Sequence, residues 1–142
     1  MQINNVSGLY NVSPQISVTD LEFLSENGFG KIICNRPDFE VPPSFLSNVI
    51  EKIATEIGLS FEYHPLTFEN MNTKNIEKQM AFIKESERPV LAYCTSGTRC
   101  AAIWALGQIG KMSKDEILKT TLESGYKPVS YTHLTLPTIL LE

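Results

Sequence analysis

The chain has little that would suit it to nucleic acid, to a metal or to a membrane. Its 142 residues carry 12 Lys or Arg against 16 Asp or Glu, a net charge of −4. That balance excludes broad attraction to nucleic acid or to an anionic bilayer. The basic residues are scattered, with no cationic stripe. No apolar run approaches the roughly 18 residues of a membrane-spanning helix. The start, Met1-Gln2-Ile3-Asn4-Asn5, has neither the basic nor the apolar region of a signal peptide. Only His64 and His133 represent histidine, and with 3 cysteines they give no metal-ligand spacing. An odd number of cysteines without a secretory signal argues against a disulfide framework and for a reducing cytoplasm. What remains is one domain of ordinary apolar content, long enough to bury a core.

Hydrophobic periodicity predicts alternating strands and helices. Residues 6–12 read as an edge strand. Thr19-Asp20-Leu21-Glu22 reads as a capping box for a helix ending at Gly28. Lys31–Cys34 is a short buried strand, and Asn35–Glu40 a loop. A helix is expected from Pro42-Pro43 to Gly58, with Phe45, Leu46, Val49, Ile50, Ile53 and Ile57 at helical spacing. Residues 59–66 form the next strand. Residues 73–86 form a helix with Ile76, Met80 and Ile83 on one stripe. Pro89–Tyr93 is a buried strand, and an apolar helix opens near Arg99 and stops at Gly110. Ser113–Glu116 is a second capping box, for a helix ending at Gly125. Such alternation predicts an α/β domain, a mostly parallel central sheet flanked by helices on both faces. The domain is assigned to residues 1–125. Residues 126–142, strand-like in composition and without helix caps, are set apart as a tail of separate status, and His133 within it receives no role.

The chemistry concentrates in Cys94-Thr95-Ser96-Gly97-Thr98-Arg99. A cysteine ending a strand and an arginine opening the next helix frame a turn of small residues. Backbone N–H groups in such a turn, with the partial positive charge of the helix N-terminus, bind an oxyanion. Arg99 adds a planar fork of donors. In that field Cys94 should ionise readily and act as a nucleophile. Thr95, Ser96, Gly97 and Thr98 would contribute mainly backbone amides, and Gly97 a backbone angle that other residues resist. Arg36 and Asp38 follow a strand at the same sheet edge and could border the pocket. His64, before Pro65 at a strand end, is expected to be a structural hydrogen-bond partner, and Trp104 a core residue.

Four stretches together resemble a bacterial family, the phosphatase-like domain of beta-lactamase hydrolase-like proteins, near the tyrosine and dual-specificity phosphatases. They are Ser13–Ile16 leading into Asp20-Leu21, Gly28–Ile33 leading into Asn35–Asp38, Gly58-Leu59 leading into Tyr63–Leu66, and Pro89–Cys94 leading into Ser96–Arg99 and Trp104–Leu106. The resemblance implies a phosphocysteine mechanism on phosphate monoesters, whether phosphorylated small molecules or phosphoproteins, with no cofactor. It also implies a general acid near Thr67-Phe68-Glu69, where Phe68 stands close to the expected position. Glu69 or Asp38 would then substitute. Tyr93 stands where many tyrosine phosphatases have His. Some phosphatases of the superfamily carry a second cysteine that forms a reversible disulfide with the nucleophile. Cys34 is the candidate for that part, with an inert buried thiol as the simpler reading. Cys100 is ranked lower, because pairing across so short a loop would distort it.

One departure points elsewhere. The Cys-to-Arg spacing is a residue shorter than in tyrosine phosphatases and is similar to the loop of rhodanese-like sulfurtransferases, where the cysteine carries a persulfide. A sulfurtransferase using Cys94 and Arg99 is therefore the alternative. A non-catalytic module that binds oxyanions or senses oxidants is the third reading.

Overall fold

The computed structural model describes residues 1–126. Residues 127–142, nearly all of the tail set apart on sequence, lie outside the described residues. Five strands, β1 (Asn4–Ser7), β2 (Tyr10–Ser13), β3 (Lys31–Cys34), β4 (Ser60–Tyr63) and β5 (Val90–Tyr93), form one sheet in the order β1-β2-β5-β3-β4. All pairs are parallel except β1 with β2. Five helices cover it: α1 (Val18–Glu26), α2 (Ser47–Glu56), α3 (Thr73–Lys84), α4 (Thr98–Gly107) and α5 (Lys114–Glu123).

Strand alternation divides the core in two. On one face Ile32, Leu91 and Tyr93 pack with Leu21 and Leu24 of α1 and Ile50 and Ala54 of α2. On the other, Ile33, Val90 and Ala92 pack with Cys100, Ala101 and Trp104 of α4 and Ile117 of α5, with Met80 and Ile83 of α3 against them. Every residue of α4 from Cys100 to Leu106 is buried, which explains its nearly uninterrupted apolar sequence. Truncating a fully buried core side chain such as Leu91 to Ala would cost about 2–5 kcal/mol.

Several local expectations are corrected. Residues 6–12 are not one edge strand: the chain turns at Gly8, and β2 lies inside the sheet. α1 begins one residue after Ser17, whose backbone N–H donates to Asp20 at 3.0 Å, so the capping box starts at Ser17 rather than Thr19. Pro43–Phe45 makes only a 3-10 turn, and α2 starts at Ser47. The reason is tertiary: both oxygens of Asp38 accept from Ser47, one from its N–H at 2.7 Å and one from its hydroxyl at 2.8 Å. A carboxylate there also complements the helix dipole. Tyr126, assigned to the tail on sequence, is buried in the core on the α4 face.

One buried polar network crosses the interior. Gln79 of α3, fully buried, donates to Asn35 Oδ1 at 2.8 Å and to the Tyr10 hydroxyl at 3.2 Å. Asn35 donates to Gln79 Oε1 at 3.0 Å and to the His64 carbonyl at 2.8 Å, while Tyr10 donates to the Cys100 carbonyl at 2.7 Å. The network ties the ends of β3 and β4 to the first turn of α4, with its buried polar groups mutually paired.

Candidate active site

β5 delivers Cys94 to the carboxyl edge of the sheet, where ligands gather in parallel α/β folds. The chain then reverses through Gly97, at φ 95°, directly into α4. Glycine is needed there twice over. The backbone is left-handed, and a Cβ would collide with the hydroxyl of Tyr126. The turn aims the Gly97 N–H at Cys94 Sγ, at 3.1 Å. Thr95 and Ser96 are exposed above the buried sulfur, and the Ser96 and Thr98 hydroxyls pair at 2.9 Å.

Cys94 is pulled down from 9.0 to about 6. The largest cause is a hydrogen bond from the Cys100 thiol. The amides of Cys100 and Arg99 and the Arg99 charge add to it, against the opposing effect of burial. A thiol lowered in this way favours its thiolate at neutral pH.

Arg99 is anchored on four sides. Nη1 donates to Glu40 Oε2 at 2.9 Å and to the Leu66 carbonyl at 2.8 Å. Nη2 donates to Glu40 Oε1 at 2.7 Å and to Thr95 Oγ1 at 2.8 Å. This fork-to-fork pair fixes the guanidinium plane, and it holds the Glu40 carboxyl below its ordinary range. Glu40, which holds Arg99, is a neighbour of the loop that sequence reasoning missed. It lies 59 positions from Arg99 and in a loop, so no periodicity pointed to it.

The other predicted residues divide sharply. Arg36 braces Glu40 instead of facing the loop: Nη2 donates to the Glu40 carbonyl at 3.1 Å, and Nε lies 3.5 Å from Oε1. Its Nη1 donates to Gln15 Oε1 at 3.1 Å, and the Gln15 N–H donates to the Thr95 carbonyl at 3.2 Å. Arg36 thus supports the cradle from outside. Both oxygens of Asp38 are engaged by Ser47 at the start of α2. Glu69 is exposed in the turn Phe68–Asn70, three residues beyond the carbonyl that holds Arg99. His64 is buried, with Nδ1 2.7 Å from Gln79 Oε1, a structural partner as expected.

Cys34 lies on the α1/α2 face of the sheet, and Cys94 on the α4 face. The Cys34 thiol donates to the Arg36 carbonyl at 3.3 Å, and burial pushes it up to about 11. Cys94 acts on it as well, adding to the rise. Tyr93 also faces α1 and α2, so its departure from His does not alter the cradle directly.

A separate groove of about 820 Å³ runs between α3 and α4, lined by Ile76, Met80, Ile83, Trp104 and Leu106 among others. It includes none of residues 94–99. No helix among the described residues is long and apolar enough to cross a membrane.

A family model for the phosphatase-like domain of beta-lactamase hydrolase-like proteins matches residues 2–111. A beta-lactamase hydrolase-like protein of Xylella fastidiosa is 27% identical over 119 residues, which cover 82% of this chain and 28% of that protein. The chain thus spans less than a third of the curated relative. Among solved structures, a candidate phosphatase from Neisseria meningitidis is similar at TM-score 0.84 and 30% identity, covering 94% of this chain and 96% of that one. A kinase associated phosphatase, solved with its catalytic-site cysteine replaced by serine, is similar at TM-score 0.66 and 14% identity, covering 94% and 91%. That likeness is one of fold. The sulfurtransferase and non-catalytic readings draw no support from these proteins. The chain belongs to the family of phosphatase-like domains of beta-lactamase hydrolase-like proteins, on the fold of the tyrosine and dual-specificity phosphatases.

Proposed function

We propose that this domain hydrolyses phosphate monoesters with Cys94 as the nucleophile. The observation that carries the reading is a buried thiolate at the foot of a turn whose N–H groups and arginine surround it. The Cys94 sulfur attacks phosphorus in line with the leaving oxygen. An S–P bond forms as the P–O bond breaks, and the leaving alkoxide takes a proton. The amides of Thr95–Arg99 hold the equatorial oxygens while charge develops on them, and Arg99 adds its own positive charge. Donors placed in advance in this way contribute about 10²–10³ each to rate. Water then hydrolyses the phosphocysteine and restores the thiolate.

Glu69 is the proton donor in this reading. It is exposed on the turn that follows the Leu66 carbonyl, which holds Arg99. The Arg36–Glu40–Arg99 chain keeps the guanidinium in register with the loop. Because Thr95 Oγ1 holds one Arg99 N–H, an entering phosphate exchanges with that hydroxyl.

Hydrolysis of para-nitrophenyl phosphate under reducing conditions, native chain against Cys94→Ser, tests the proposal. Turnover that disappears in the variant supports it. A folded native chain without turnover, or a variant that keeps it, overturns it.

A further inference from the structure

Glycine lets the chain reverse at Gly97, but it also leaves the backbone free to depart from φ 95° at little cost. Packing on that residue must therefore keep its N–H aimed at the Cys94 sulfur, 3.1 Å away. The side chain that stands against Gly97 is Tyr126. Its hydroxyl, Cζ and Cε1 are the three atoms nearest to where a Cβ would stand. Tyr126 is itself fixed at both ends. The chain leaves α5 through Gly125, whose N–H donates to the Leu122 carbonyl at 2.9 Å, while the Tyr126 N–H donates to the Thr121 carbonyl at 2.9 Å. Such a paired closure defines where the residue after the helix points. At the far end of the ring, Asn4 Nδ2 donates to the hydroxyl at 3.1 Å. The ring between them is buried in the core cluster that includes Cys94 and Ala101. Burial raises the phenol above its ordinary range against the opposing Asn4 bond, and Cys100 and Cys94 add to the rise. The hydroxyl beside the turn is therefore neutral.

We propose that Tyr126 is a positioning residue that props the oxyanion-binding turn, holding Gly97 in place through a hydroxyl that Asn4 orients. The proposal rests on Cys94 being the nucleophile, as in the proposed function, but not on phosphate turnover. Tyr126 takes no part in the bond-making steps and acts through the Gly97 N–H. In the free site that N–H donates to Cys94 Sγ. A hydrogen bond to the charged form of a group favours that form, so the contact supports the thiolate. In the proposed mechanism the same amide, with its neighbours, holds the equatorial oxygens. Donors of this kind are effective because they need no rearrangement while charge develops. A Gly97 released from the hydroxyl loses both services. The three parts come from separate elements: Asn4 from the edge strand β1, Gly97 from the turn between β5 and α4, and Tyr126 from beyond α5. Changes at Asn4 or Tyr126 therefore reach the turn without altering any residue from Cys94 to Arg99.

The test is the pH dependence of iodoacetamide labelling at Cys94 in the full chain, followed on tryptic peptide 85–99. The midpoint of that profile reports the stability of the thiolate and, unlike the rate, not access to it. The native midpoint should lie at about 6. In Tyr126→Phe, which keeps the ring and removes the hydroxyl, it should rise by about one unit, the size of one weakened hydrogen bond to a charged group. Turnover of para-nitrophenyl phosphate should fall about tenfold in kcat/KM as the donors lose their alignment. Asn4→Ala keeps the whole tyrosine and should shift the midpoint the same way by less. The double variant should match Tyr126→Phe alone, because Asn4 acts through the hydroxyl. Ile117→Val, in the same core cluster, should ease denaturant unfolding and leave the Cys94 midpoint at about 6. A midpoint unmoved in folded Tyr126→Phe overturns the proposal, and so does an equal shift in Ile117→Val, the mark of a merely loosened core. If Tyr126→Phe does not fold, Asn4→Ala decides by the same readings. A shifted midpoint in a chain that never hydrolyses phosphate would sustain this proposal and overturn the function. Turnover lost in Cys94→Ser but unchanged in Tyr126→Phe would do the reverse.

Discussion

Cys94 and Cys34 end neighbouring parallel strands at the same edge of the sheet, and their thiols differ widely in acidity, at about 6 and about 11. Register explains the separation. Cys34 pairs with Tyr93, so Cys94 stands one residue further along and alternation sends the two side chains to opposite faces. On the α4 face the sulfur meets the N–H groups of a helix start, a thiol and an arginine. On the α1/α2 face it meets Ile16, Leu21, Leu24 and the Tyr93 ring. Burial alone raises a thiol; the same burial with donors aimed inward makes a nucleophile. The acidity of Cys94 is thus set by the residues on its C-terminal side, since Cys100 and Arg99 of α4 supply the lowering groups.

The comparison can be broken most completely at Cys94. Its replacement by Ser should lower phosphatase kcat by several orders of magnitude, with the fold intact by circular dichroism. Next, Glu40→Gln removes the ionic fork on Arg99 and should reduce kcat/KM about 10²-fold, the order expected when a binding group is slightly misplaced. Gly97→Ala should cost about 1–3 kcal/mol in denaturant unfolding through backbone strain, with the loss partly relieved by Tyr126→Phe. The acidity difference itself can be sharpened by alkylation rates read peptide by peptide. Iodoacetamide should label Cys94 with a rate that rises through about pH 6 and then levels, because only the thiolate reacts. Cys34 should stay unlabelled until the pH nears its value of about 11 or the domain unfolds. The smallest effect is expected from Cys34→Ala, within about 1 kcal/mol of stability and with phosphatase activity unchanged.

The legible parts of this fold are those written locally. Apolar runs separated by amphipathic stretches imply a parallel sheet. A cysteine and an arginine bracketing small residues imply an anion-binding turn, because strand, turn and helix start are contiguous in the chain. The loop after β3 was not legible, since its path depends on distant partners. Asp38 finds Ser47, and Glu40 finds Arg99, only once α2 and α4 have docked. Gln79 sits beside an apolar stripe that looks sufficient for α3, yet it is the fully buried residue of that helix because Asn35 and Tyr10 meet it there.

The prop beneath Gly97 also bears on the order in which the domain matures. Tyr126 reaches the loop from just beyond α5, and its hydroxyl accepts from Asn4 Nδ2 at 3.1 Å, across a separation of 122 positions. On the ribosome the six residues from Cys94 to Arg99 are made well before Tyr126 is. Their support arrives only when α5 has been synthesised and laid against β1. Long-range closures of this kind are slow beside local helix formation. Until then the loop lacks the hydroxyl that stands against Gly97.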